Sequence, residues 1–89
     1  AKSASFEDIK IEAFPNPAGE TLYVRIHGGA ASYKLAVVNA FGQEVAWAEA
    51  SGTGVAVAID MSRHPGGLYF VSAANEVGRI VGAVKVVRQ

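Results

Sequence analysis

Ser62-Arg63-His64 sets a hydroxyl, a guanidinium and an imidazole side by side, the groups from which nucleophilic hydrolysis is built. A nucleophile and its base must meet through space, however, and neighbours in an extended or turning segment point apart. The run therefore reads as part of a turn. His27 and His64 are the two imidazoles of the chain, and no carboxylate or histidine stands at the spacing of a metal site. The glycine pairs invite a phosphate-loop reading, yet neither GxxxxGK(S/T) nor a strand-to-helix GxGxxG is present, and Gly52-Thr53-Gly54 leads into a strand pattern. These glycines are turn formers. No catalytic residue, metal or cofactor is expected.

Tyr23, Tyr33, Trp47 and Tyr69 are the remaining groups with binding chemistry, because exposed aromatic rings on a sheet can stack on sugars. Aromatics are also enriched in strands for packing reasons. A buried or half-buried sheet position is expected for each. An exposed aromatic row would instead mark a carbohydrate-binding or adhesive module, and a chain with no partner at all would be a passive spacer.

The elements that position these groups are bounded by composition. A length of 89 residues suffices for one small domain and excludes a second. Apolar residues make up 51% and charged residues 18%, against roughly 25% charged in average globular proteins. This is the composition of a folding chain. Eight basic residues balance eight acidic ones, which removes the general attraction that binders of nucleic acid or acidic lipid rely on. The absence of cysteine excludes disulfides and thiolate metal sites and leaves the compartment open. No apolar run approaches the roughly 18 residues needed to cross a bilayer as a helix. The N-terminus lacks a basic region followed by a hydrophobic one, so any export signal is expected on a longer precursor from which Ala1 marks a cut.

The dominant period is two, the signature of strands. Ile9, Ile11 and Ala13 alternate with Asp8, Lys10 and Glu12, and Leu22, Val24 and Ile26 with Thr21, Tyr23 and Arg25. Tyr33, Leu35 and Val37 form a third apolar face that runs to a tight turn at Asn39-Ala40-Phe41-Gly42. Val45 and Trp47 return from it, and Val55, Val57 and Ile59 follow as a strand that is expected to form a hairpin with the Trp47 strand. Asp60 caps a single helical turn over Asp60-Met61-Ser62-Arg63, ended by Pro65-Gly66-Gly67. Leu68 to Ala73 and Arg79 to Val87 complete the set, the latter with Ile80, Val84 and Val86 on one face.

About seven short strands at this spacing predict an all-β antiparallel sandwich. Its expected core is Ile9, Ile11, Leu22, Val24, Ile26, Leu35, Val37, Val45, Val57, Ile59, Val84 and Val86. A small sandwich with few charges to guard its edges is also expected to form homodimers by edge pairing or strand exchange.

Two stretches have physical readings of their own. Pro15 and Pro17 fix two φ angles around Asn16, whose side chain can bond its own backbone, giving a rigid crossing between strands. Gly67 is expected to need a positive φ or a close backbone approach just before Tyr69. Lys85 and Arg88 close the chain as a basic, valine-rich end, and alternation sends them to opposite faces as exposed charges.

Taken in order, Pro15-Asn16-Pro17-Ala18, Leu22-Tyr23-Val24, Leu35 to Gly42 with Val45, Asp60-Met61-Ser62, Gly67-Leu68-Tyr69-Phe70-Val71 and Lys85-Val86-Val87-Arg88 resemble the C-terminal sorting domain of type IX secretion cargo. The match covers residues 14–88. His64, where a leucine is common, and Gln89, after the usual terminal base, depart from the pattern.

The resemblance implies an immunoglobulin-like sandwich that acts as a non-enzymatic secretion signal. Residues 1–5 would be a frayed linker from upstream cargo and 6–89 the sorting domain. Its partners would be that cargo, the outer-membrane type IX translocon and a sortase-like attachment machinery. Its path would run through the periplasm to the outer membrane, the cell surface or the medium. Gly67, Tyr69, Lys85, Val86, Val87 and Arg88 would serve translocon recognition, and Pro15, Asn16, Pro17 and Gly42 the architecture.

Overall fold

A computed structural model of the chain describes residues 9–28, 32–51 and 54–89; the expected linker at 1–5 lies outside them. Seven strands follow one another, β1 Lys10–Phe14, β2 Thr21–His27, β3 Ser32–Asn39, β4 Glu44–Ser51, β5 Ala56–Asp60, β6 Gly67–Ala74 and β7 Ile80–Arg88. They form a three-stranded sheet in the order β1-β2-β5 and a four-stranded sheet in the order β4-β3-β6-β7. Every strand pair is antiparallel. The sheets pack with β1 against β7 and β5 against β4, the distribution of an immunoglobulin-like sandwich. Among the described residues no helix is long and apolar enough to cross a membrane.

Alternation builds the core between the sheets. In β2, Leu22, Val24 and Ile26 are buried; Tyr33, Leu35 and Val37 of β3 and Tyr69, Val71 and Ala73 of β6 meet them from the other side. All twelve residues expected in the core either belong to this cluster or pack against it. Gly82 of β7 sits where a Cβ would come within 2.9 Å of Ile11 Cδ1, so the absence of a side chain lets β1 and β7 approach.

The structure corrects several expectations. β4 and β5 form no hairpin: β4 pairs with β3, and β5 crosses to the other sheet to pair with β2. Alanines explain the choice, because Ala46, Ala48 and Ala50 stand opposite Val37, Leu35 and Tyr33, small side chains beside large ones. Val57 and Ile59 likewise pair with Val24 and Leu22.

Trp47 is not buried but 60% exposed, and Tyr23 is 40% exposed, whereas Tyr33 and Tyr69 are buried. For Trp47 the reason is a register shift at which Val37 opposes Ala46 while Val38 opposes Glu44. Val45 is the extra residue, and one extra residue reverses which side chains of a strand face inward. Ile80 fails to join Val84 and Val86 for the same reason. Ala73 opposes Gly82 and Ala74 opposes Ile80, Val81 is the extra residue, and Ile80 turns out to solvent. Met61, which no alternation marked, is fully buried.

Candidate functional site

The expected recognition residues converge at one end of the sandwich, where the segment after β5, the segment after β1 and the terminal strand meet. Asp60 opens this region. Its Oδ1 accepts the Ser62 N–H at 2.9 Å, and the His64 N–H donates to the Met61 carbonyl at 3.0 Å. The capping bond is as expected, but the single bond closes a reverse turn and not the helical turn the sequence suggested. Hydrogen bonds from Ser62, side chain first and then backbone, hold the Asp60 carboxyl below its ordinary value, and the charges of Arg63 and His64 act in the same direction. Ser62 and His64 are thus parts of this turn.

The two glycines after Pro65 are required for different reasons. A Cβ on Gly66 would lie 3.1 Å from the Gln89 carbonyl carbon and 3.3 Å from the Arg88 oxygen. Gly67 has φ +148° with open space around it, a backbone conformation that disfavours side chains. The positive φ expected at Gly67 is present, and the close approach belongs to Gly66. Gly67 then pairs with Arg88, and Tyr69 with Val86. Both Tyr69 and Val86 are buried, and the Tyr69 hydroxyl donates back to the Pro65 carbonyl. Tyr69 therefore fastens the turn to the core, and Val86 is a core residue with no surface to present.

The Pro15-to-Ala18 segment lies along the outer edge of β7. Both prolines follow cis peptide bonds and neither has an N–H to donate. The hydrogen bonding falls to Asn16 and Ala18. Asn16 does not bond its own backbone, as the sequence suggested: its Oδ1 accepts the Val87 N–H at 3.1 Å and its Nδ2 donates to the Lys85 carbonyl at 3.4 Å. The Ala18 N–H donates to the Val87 carbonyl at 2.7 Å, and the Gln89 N–H donates to the Ala18 carbonyl at 3.0 Å. Ala18, fully buried, forms a parallel bridge with Arg88. The outer edge of β7 is thus occupied from Lys85 to Gln89.

Lys85 and Arg88 are not equivalent charges. Lys85 points out from the four-stranded sheet beside Phe70 and makes no ion pair among the described residues. Arg88 is half-buried, and its Nε donates to the Met61 carbonyl at 3.2 Å while Nη1 donates to the Gln89 carbonyl at 2.7 Å. The expectation that both are exposed charges holds for Lys85 alone. No sequence pattern signalled the Met61 contact, because it joins a turn to a strand 27 positions away.

Gly42 lies outside this cluster, in the β3–β4 turn, with φ +87°. Asn39 organises that turn through Oδ1, which accepts the Phe41 and Gln43 N–H groups at 2.9 and 3.0 Å. The β6–β7 turn repeats the device: Asn75 Oδ1 accepts from Val77 and Arg79, and Gly78 has φ +84°. The two five-residue segments share only Asn and Gly, too little for the repeat to show in the sequence. Among the described residues no group of three or more His, Asp or Glu side chains is placed to hold a metal ion.

What this end of the molecule offers is a braced strand terminus and an exposed sheet face beside it. No curated protein matches the chain. A family profile, described as the secretion system C-terminal sorting domain, matches residues 12–87. The matched stretch runs from β1 through the bridged segment to Val87, and the chain belongs to this family of C-terminal sorting signals for type IX secretion, implying a cargo precursor and export toward the outer membrane or extracellular space.

Proposed function

We propose that the chain acts without catalysis, as a folded tag whose β6–β7 end is read by the translocon. Gly66, Gly67 and Tyr69 hold the turn, Val86 anchors β7, and Lys85, Val87 and the end of β7 are what a partner meets. The observation that carries this reading is the convergence of the Pro15-to-Ala18 segment, the Gly67-to-Val71 segment and the basic end on one strand terminus. In this reading the cargo passes through the periplasm, and a sortase-like machinery completes surface attachment. Homodimers by strand-edge pairing or exchange belong to the same proposal, and light scattering across a wide concentration range tests them.

The carbohydrate-module alternative gains Trp47 as an exposed ring but loses the aromatic row, since Tyr33 and Tyr69 are buried. Fusion of residues 1–89 to an inert reporter in a type IX-competent cell tests the reading directly. Delivery of the reporter outside the cell is expected, and deletion of residues 84–89 should abolish it. A reporter retained inside despite a folded domain would overturn the sorting function.

A further inference from the structure

The two outward sheet faces differ in how far they cover themselves. On the three-stranded sheet, Phe14 stacks on Tyr23 with centroids 5.8 Å apart, and Arg25 lies over the Phe14 ring at 5.1 Å. Glu12 there binds Arg25 at 3.5 Å and His27 at 3.1 Å. On the four-stranded sheet, Trp47, Leu68, Phe70 and Val87 are exposed, and among the described residues the one cation or ring contact to them is Lys34 over Trp47. The register makes them continuous: Trp47 adjoins Ala36, Val38 adjoins Phe70, Phe70 adjoins Lys85, and Leu68 adjoins Val87. Contiguous apolar patches on a small protein mark interaction sites.

Charge decides what fits there. Lys34 is balanced by Glu44 at 3.9 Å and stands 5.8 Å from the centre of the Trp47 ring. Lys85 is left without an ion pair among the described residues. Glu49, opposite Lys34 and two residues from Trp47, adds a negative charge with no ion pair among the described residues at the far side of the face. Around Phe70 the face is apolar with one uncompensated positive charge, Lys85, and the complement there is apolar with a negative one. A sugar is a poorer match, because Lys34 lies over the Trp47 ring and Tyr33 and Tyr69, which would extend an aromatic row, are buried. Strand addition to β7 is also disfavoured, since Asn16 and Ala18 already take that edge from Lys85 to Gln89.

We propose that this outward face, with Trp47, Val38, Leu68, Phe70 and Val87 around Lys85, docks an apolar protein strip that carries a carboxylate. The proposal rests on the sorting-signal reading and names the surface through which the signal is read. The test uses the 89-residue chain fused to an inert reporter, with delivery outside the cell, thermal melting and sedimentation measured for each variant. The paired change Phe70→Thr with Val87→Thr, and separately Lys85→Glu, should each reduce delivery about tenfold or more, as loss of a central interface anchor does. Melting should stay cooperative, and Lys85→Arg, which keeps the charge, should reduce delivery far less than Lys85→Glu.

If the wild-type fusion is itself retained, the sorting reading fails. If the wild type is delivered and Lys85→Glu is delivered equally well, the docking face is overturned while the sorting reading stands. Substitution of Lys85 breaks no ion pair among the described residues, so this variant remains decisive even if the paired change unfolds the domain. A wild-type dimer that the paired change converts to monomer with delivery unchanged would assign the face to a second copy and likewise overturn the proposal.

Discussion

The Asn16 side chain bonds the backbone of Val87, 71 residues further along the chain, at 3.1 Å. With its second bond, to the Lys85 carbonyl, the amide stands in for a strand that the two flanking prolines cannot form. It ties the start of the domain to its last strand, so folding of the tail depends on the first quarter of the chain.

Asn16→Ala should therefore cost about 1 kcal/mol, the net worth of one to two hydrogen bonds, with Lys85 to Gln89 as the affected segment. Amide hydrogen exchange should show faster exchange of the Val87 N–H, while exchange in β2 and β3 rises only with global stability. Unchanged Val87 protection would mean that Ala18 alone holds the edge.

The Gly66-Gly67 pair predicts two distinct failures. Gly67→Val forces a side chain onto φ +148° and should lower stability by about 1–3 kcal/mol through backbone strain. Gly66→Ala instead presses a methyl group on the Gln89 carbonyl, so removing Gln89 should relieve part of its cost and none of that of Gly67→Val. Denaturant titration of the four variants checks this, and equal relief of both would refute the distinction.

Burial separates Val37 from Trp47. Val37→Ala should cost about 1–3 kcal/mol because its side chain is fully buried, whereas Trp47→Ala should fall within about 0.5 kcal/mol of wild type, as solvent-facing substitutions do. Urea midpoints measure both.

Arg88→Ala should destabilise by about 1 kcal/mol through loss of its bond to the Met61 carbonyl, and Lys85→Ala should not. Removing both charges together therefore confounds stability with recognition, and Lys85 is the residue to change when recognition is the question. Equal melting curves for the two single variants would show the Met61 contact to be inconsequential.

Asp60 and Glu12 contribute to the acid limb of stability. Both carboxyls are held below their ordinary values, Asp60 chiefly by Ser62 and Glu12 chiefly by its hydrogen bond with His27, with Arg25 and Lys10 adding charge. A depressed folded value means that their contribution is complete above the unfolded carboxylate range of about 4. It is lost as pH falls from there through the lower folded values. Asp60→Ala should flatten the dependence of stability on pH below about 4 and leave it unchanged near neutrality. An unaltered acid limb would contradict the Ser62 bonds.

Alternation of apolar residues at a period of two was enough to predict seven strands, because an extended chain sends successive side chains to opposite faces and one face must be buried. The turn at Asn39 to Gly42 was legible for an equally local reason: a glycine at positive φ acts within a few residues. Strand partners were not legible. β5 leaves β4 for β2, and Val45 and Val81 enter as extra residues that turn Trp47 and Ile80 outward, since pairing depends on what the opposite strand offers. The candidate site was legible as three motifs but not as one place. Asn16 reaches Val87 and Arg88 reaches Met61 across separations that local periodicity does not encode, and those contacts exist only once the sandwich has brought β1, β5 and β7 to the same end.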